Sequence, residues 1–250
     1  MSQPITHKMK SAIVLASHKA GEGHIASAFS ILDLVWVLYD QVMRPGQDRF
    51  VLSKGHASLA LYAVLIEKGL LPPNAWDDFC KFNGKLGGHP DSAKVLGVEA
   101  STGSLGHGLP MAVGMALGSR IQGSQARVFC LVGDGECNEG TVWESALLAS
   151  HHHLANLTCV VDFNHSTDRA LDLGDLESKF SSFGWDTISI PGHDQTAIAQ
   201  ALHKTADDKP TVVIANTVKG QGVKFMEGDP SWHHRAPNAE ELQRILEELT

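Results

Sequence analysis

Asp134 sits between two glycines in Gly133-Asp134-Gly135, directly after the apolar run "RVFCLV". Asn164 follows a second apolar run, "LTCVVDF", thirty residues later. If these runs are adjacent parallel strands joined by one helix, a carboxylate and an amide oxygen lie on the same rim. Such a pair suits Mg²⁺ (or Ca²⁺ or Mn²⁺), which keeps an oxygen shell and readily binds a diphosphate. A backbone carbonyl just past Asn164, that of Ser166, could complete the protein's share. An isolated G-D-G reads first as a turn; the paired strand ends raise it above that. The two glycines are expected to supply positive φ and close backbone approach. Thr141, with Glu144 three residues on, reads as a capping box for the helix that follows.

Histidines form a second group. Five of the fourteen follow a glycine: His24, His56, His89, His107 and His193. A glycine turn can aim an imidazole into a cleft, where a neutral ring donates or accepts. His193, in "PGHDQT", is assigned to a turn in which Asp194 caps the next helix, and the role of His107 stays open. The triplet His151-His152-His153 reads as a solvated helix end, because successive helical residues point about 100° apart and cannot face one ion. The glycines of "TGSLGHG" have neither a preceding strand nor the spacing of a dinucleotide fingerprint.

The elements that must position these residues follow from periodicity. "AFSILDLVWVLYDQVM" carries apolar residues at helical spacing, with Ser27 or Ser30 as a possible cap. "RFVLS" is a short strand ending at "KGHAS", and the helix after it stops at Gly69. Residues 84–108 form a long glycine-rich segment of the kind that carries function. From Arg127 onward strands alternate with helices, and their continuous Val/Ile runs mark a mostly parallel central sheet with helices on both faces. Sites in such α/β sheets lie at the carboxyl ends of the strands, where "KGHAS", "GDGE" and "FNHS" all fall. "NAEELQRILEEL" is an amphipathic terminal helix.

Composition narrows the function classes. The chain has 250 residues and a net charge of −8, which argues against a nucleic-acid partner met through a basic face. No apolar run approaching the ~18 residues of a membrane helix is read, and "MSQPITHKMK" lacks a secretory signal pattern. Cys80, Cys130, Cys137 and Cys159 form no C-x-x-C pair, so a cytoplasmic location is the default expectation.

The motifs "GHIASAFS", "FVLSKGHAS", "GGHPD", "TGSLGHG", "GDGECNEGTVWE", "VVDFN" and "WHHRAP", in this order, resemble those of the transketolase family. The resemblance spans nearly the whole chain and covers the diphosphate-binding half of a full-length transketolase. It implies a thiamine-diphosphate-binding fold over residues 1–250 as one domain. It implies thiamine diphosphate and Mg²⁺ as cofactors, and transfer of a two-carbon ketol unit from a ketose phosphate to an aldose phosphate. In that likeness Asp134 and Asn164 match metal ligands, and Gly135 and His56 match diphosphate contacts. Gly103, Ser104 and Leu105 match a loop along the cofactor. Glu139 matches a buried acid at a subunit contact, and His24, His56, His89 and His233 match the histidines around the reacting carbon. The chain then resembles the N-terminal subunit of a split transketolase, requiring a partner subunit with the pyrimidine and C-terminal domains in an α₂β₂ assembly. One departure stands out: His234-Arg235 follow His233 where the family usually has a glycine, which bears on substrate choice. A 2-oxoacid dehydrogenase α-subunit or a deoxyxylulose-phosphate synthase fragment shares G-D-G…N, and a non-catalytic assembly chain is the alternative of another class.

Overall fold

Five apolar runs form a wholly parallel sheet in the order β1-β2-β3-β5-β4, where β1 is Arg49–Leu52, β2 Val128–Gly133, β3 Leu157–Phe163, β4 Asp186–Pro191 and β5 Thr211–Asn216. This is a computed structural model, and it describes residues 5–168 and 170–250. Side chains alternate across each strand. Phe129 and Leu131 of β2 pack on one face, while Val128, Cys130 and Val132 pack on the other. Helices α1 (Ile5–Ala20), α2 (Ile25–Val37), α3 (Ser58–Glu67), α7 (Gln195–His203) and α8 (Ala239–Glu248) contribute to the first core. Helices α4 (Gly108–Ile121), α5 (Gly140–His151) and α6 (Leu176–Ser182) contribute to the second. Both faces of the central strands are therefore covered, as their continuous hydrophobic runs require. Each fully buried Val, Leu or Phe contributes about 1.5–3 kcal/mol to holding these layers.

Helix α2 continues through a π-helical turn, Leu38–Val42. The combined stretch Ile25–Val42 has a mean hydropathy of 1.4 and is long and apolar enough to cross a membrane, contrary to the reading from sequence; here it is 78% buried inside the protein. It packs against α1, α3 and α7, which accounts for an all-round apolar helix in a core.

Local caps differ in part from expectation. Neither Ser27 nor Ser30 caps α2, since His24 occupies the N-cap position without a side-chain bond. Ser30 instead turns its hydroxyl to Asp162 at 2.7 Å. Thr141 lies inside α5 rather than at its cap, and its hydroxyl donates to the Gly106 carbonyl at 2.9 Å. Asp194 does cap α7, accepting from the Thr196 and Ala197 N–H groups. Gly69, with φ +71, follows the end of α3 as expected.

At the amino edge of the sheet, buried Asp48 joins the starts of β1 and β2. It accepts from the backbone N–H of both Arg44 and Arg127, at 2.9 Å each, and from both guanidinium groups. Burial opposes its ionisation, yet the bonds from Arg44 and Arg127 hold its carboxyl down at about 2. The opposite edge, where the strands end, gathers the segments after β1, β2, β3 and β5 around one cavity.

Candidate cofactor-binding site

Gly133 of β2 pairs in register with Asp162 of β3, so the next residues of the two segments leave the sheet side by side. The Asp134 carboxylate is buried and accepts from Gly135 N–H at 2.7 Å, Ser166 N–H at 2.8 Å and the Ser166 hydroxyl at 3.0 Å. The same Ser166 N–H donates to Asn164 Oδ1 at 3.1 Å. Asp134 and Asn164 thus stand at one point of the rim, as their spacing predicted. Ser166 meets Asp134 through its N–H and hydroxyl, whereas the sequence reading gave that role to its carbonyl. Gly133 and Gly135 do not have positive φ, and Asp134 has helical angles. What the glycines give here is room, because added Cβ atoms would meet only side chains, 3.8 Å away, of Lys54 and Thr167.

Asp162 orients the amide. Asn164 Nδ2 donates to Asp162 Oδ2 at 2.8 Å, which turns Oδ1 toward Asp134. Asp162 is fully buried and forms an ion pair with buried Lys54, with further bonds from Ser30 and Thr217. Burial pushes its carboxyl up, but the Lys54 charge and these donors outweigh it and hold the group below the usual carboxylate range. For Asp134 burial wins, and its carboxyl is raised. A divalent cation would offset that desolvation directly.

The cavity beside these residues has a volume of about 90 Å³ and is lined by Asp134, Gly135, Asn164, Lys54, Lys219 and Ser27, among others including His56, Leu105, Ser166 and His233. Lys219 is buried, and burial together with the neighbouring Lys54 lowers its ammonium to about 8. Its Nζ donates to His233 Nδ1 at 2.8 Å, which leaves Nε2 as the proton-bearing nitrogen of the neutral ring. Ser27 Oγ is buried in the same wall and has no hydrogen-bond partner among the described residues. An orphaned hydroxyl, two ammonium groups and two oxygen ligands on one small cavity form a donor set that fits a metal-bound diphosphate.

A wall of histidines continues from the cavity. The His24 ring centroid lies 5.1 Å from His56, 5.5 Å from His233 and 6.3 Å from His89. His234 stacks on His24 at 4.2 Å with planes 15° apart, and its Nε2 lies 3.8 Å from Glu22 Oε1. Burial, reinforced by the other rings, lowers His24 to about 3. Burial and the nearby Lys54 lower His56 to about 2. Burial lowers His89 and His233 as well. All four are neutral at physiological pH. Arg235 is not a free cation at the mouth: its guanidinium stacks 3.9 Å over Trp232 and pairs with Glu241.

The loop 103–107 closes one side. Leu105 lines the cavity, Ser104 is exposed, and Gly103 packs where a Cβ would lie 3.3 Å from the His89 ring. Buried Glu136 pins this loop, accepting from Gly106 N–H at 2.8 Å, Gly133 N–H at 3.1 Å and the Ser53 hydroxyl. Glu136 is the buried acid of this motif; Glu139, expected to be buried, is exposed on this chain. His107 caps the rim of α4, with Nδ1 3.0 Å from the Leu105 carbonyl, and is exposed. His151 ends α5 and His153 turns off it at φ 52 toward Asp208, far from this site in the fold.

Sequence reasoning missed Lys54, Lys219, Asp162, Glu136 and Ser27. Lys54 was within reach, since it stands in "SKGHAS" next to His56.

The family described as "Transketolase, thiamine diphosphate binding domain" matches residues 5–250. One of the two subunits of an apulose-4-phosphate transketolase from Actinobacillus succinogenes is 37% identical over 251 residues, which cover 95% of this chain and 91% of that protein. A 6-deoxy-6-sulfo-D-fructose transketolase subunit, SqwG, from a Clostridium species is 35% identical, over 92% of this chain and 90% of that one. The crystal structure of a transketolase from Campylobacter jejuni superposes with a TM-score of 0.88 at 29% identity, over all of this chain and 43% of that chain. The chain thus spans about two-fifths of the solved transketolase that it matches.

Proposed function

The chain belongs to the transketolase family by way of its thiamine-diphosphate-binding domain, and on that premise we propose that it is the N-terminal subunit of a split transketolase. In this reading it moves a two-carbon ketol unit from a ketose phosphate to an aldose phosphate, together with a partner subunit. The observation that carries the proposal is the convergence of Asp134 and Asn164 beside Lys54, Lys219 and the histidine wall. The names of two relatives that it nearly spans, both transketolase subunits, support the subunit reading. The match over residues 5–250 supports one domain.

Asp134 and Asn164 would hold Mg²⁺, and Lys54, Lys219, Ser27 and His56 would meet the diphosphate. Thiamine diphosphate, when bound, supplies the carbon nucleophile and electron sink for breaking and forming the C–C bond. The chain's own work is positioning and proton handling. His24, His56, His89 and His233 are neutral rings on one wall, able to donate to and accept from sugar hydroxyls and carbonyl oxygens. His233 presents Nε2–H because Lys219 holds its Nδ1. Asp134 and Lys219 are both buried, and removal from bulk water strengthens each charge–charge contact they make.

A partner subunit with the pyrimidine and C-terminal domains would cover the open side, where Glu139 and Ser104 are exposed, in an α₂β₂ arrangement. Four unpaired cysteines, three of them buried, are in keeping with a cytoplasmic location. The test is reconstitution: the chain is assayed on its own and with its partner, with thiamine diphosphate and Mg²⁺, against ketose phosphates and against pyruvate as donors. Ketose-dependent turnover only by the pair is expected. Full turnover by the isolated chain refutes the subunit reading. Turnover of pyruvate with release of CO₂ refutes the transketolase reading.

A further inference from the structure

His193 follows β4, and both of its ring nitrogens are engaged. Nε2 accepts the backbone N–H of Val218 at 2.9 Å, and Nδ1 faces Asp33 Oδ2 at 3.2 Å. A backbone N–H can only donate, so Nε2 is unprotonated and the neutral ring carries its proton on Nδ1, toward Asp33. Asp33 is buried on α2, and its other oxygen accepts from Gln195 Nε2 at 2.9 Å. The cap of α7 needs no help from His193, because Asp194 provides it alone.

Val218 immediately precedes Lys219. On the other side of Lys219, Gly220 N–H donates to the Ala26 carbonyl of α2 at 3.0 Å. The lysine that reaches into the cavity is therefore held between two backbone anchors, one of them a side-chain acceptor fixed by a buried carboxylate. We propose that His193 is a positioning residue that sets Lys219 at the diphosphate cavity by accepting the N–H of Val218, with Asp33 fixing its tautomer. This rests on the reading of Lys219 as a cation for the diphosphate, but the latch itself can be measured without any ligand.

The test uses the full chain with its partner subunit. His193→Gln keeps an acceptor in reach of Val218, and His193→Phe keeps the ring volume without one. Hydrogen exchange across residues 217–220 and ¹⁵N shifts of His193 report the latch; titration with thiamine diphosphate and Mg²⁺ reports its consequence. In the native chain the Nδ1–H tautomer is expected. His193→Phe is expected to speed exchange across 217–220 and weaken thiamine diphosphate binding about tenfold, while His193→Gln stays within about twofold, as for an outer-shell partner whose bond is kept. An Nε2–H tautomer overturns the proposal, as does normal binding by the Phe variant or equal loss in both variants. If the native pair binds no thiamine diphosphate, the cofactor reading fails, and exchange with the tautomer still decides the latch.

Discussion

Asp134 and Asn164 share one hydrogen-bond donor: the Ser166 N–H lies 2.8 Å from a carboxylate oxygen of the first and 3.1 Å from Oδ1 of the second. Two strand tips thus place two oxygens around a single point, and the Ser166 hydroxyl adds a third bond to Asp134. Replacing the carboxylate by an amide keeps its size and removes its charge. Asp134→Asn is expected to leave the fold intact and weaken Mg²⁺-dependent thiamine diphosphate binding by at least about tenfold. Calorimetric titration of the assembled protein, with and without a chelator, measures this; unchanged affinity would show that the metal sits elsewhere.

Ser27 offers the reverse contrast. Its hydroxyl is buried without a partner on the cavity wall. Ser27→Ala removes an unsatisfied polar group, so stability in urea should hold or rise. Thiamine diphosphate affinity should fall about 3- to 10-fold, equivalent to a single hydrogen bond of about 0.5–1.5 kcal/mol. A loss of stability with unchanged affinity would assign the hydroxyl to the apo fold alone.

The histidine wall predicts a pH signature. His24 and His56 lie at about 3 and about 2, below the ordinary imidazole value of about 6.5. The unfolded chain therefore binds protons that the folded one refuses as pH drops below about 6.5, and stability from these rings is full above that pH and drawn down beneath it. Two-dimensional NMR should show both rings neutral at about pH 5, and the urea midpoint should fall between about pH 7 and 5. Titration of either ring near its ordinary value would contradict the geometry.

Lys54 and Asp162 are both buried and pair with one another. Lys54→Met leaves Asp162 charged without its partner, which costs about 3–5 kcal/mol in comparable cases. Because Asp162 also aims the Asn164 amide, the loss should appear in cofactor affinity as well as in the denaturation midpoint. A variant of normal stability would show that the pair is relaxed by water.

His234 stacks on His24 in place of the family's glycine, while Arg235 is occupied by Trp232 and Glu241. His234→Gly is expected to shift kcat/KM between acceptor aldoses by about 10-fold or more, equivalent to about 1.4 kcal/mol, at unchanged cofactor affinity. Arg235→Gln is expected to act on stability instead. Equal effects on every acceptor would place His234 outside substrate choice.

The sheet, its helices and the rim were legible because long apolar runs have few alternatives: β2 and β3 ended where Asp134 and Asn164 predicted. The four histidines that precede helices or follow glycine turns came together as well. What stayed hidden was set by long-range contacts. Thr141 carried a capping-box pattern, yet a carbonyl brought in from Gly106 took its hydroxyl. Lys54 and Lys219 look like surface lysines in sequence, and only their packing beside Asp162 and Asp134 makes them interior charges. His193 looked like a turn residue because its acceptor role depends on Val218, which is distant in the chain.

The clamp of Arg44 and Arg127 on Asp48 secures the starts of β1 and β2 at the far edge from His234. The foot of the sheet keeps its alignment whatever side chains the mouth carries. New sugar preferences can therefore arise by exchange of mouth residues on a platform fastened elsewhere, and an engineer seeking heat tolerance has a place to work that the chemistry never touches.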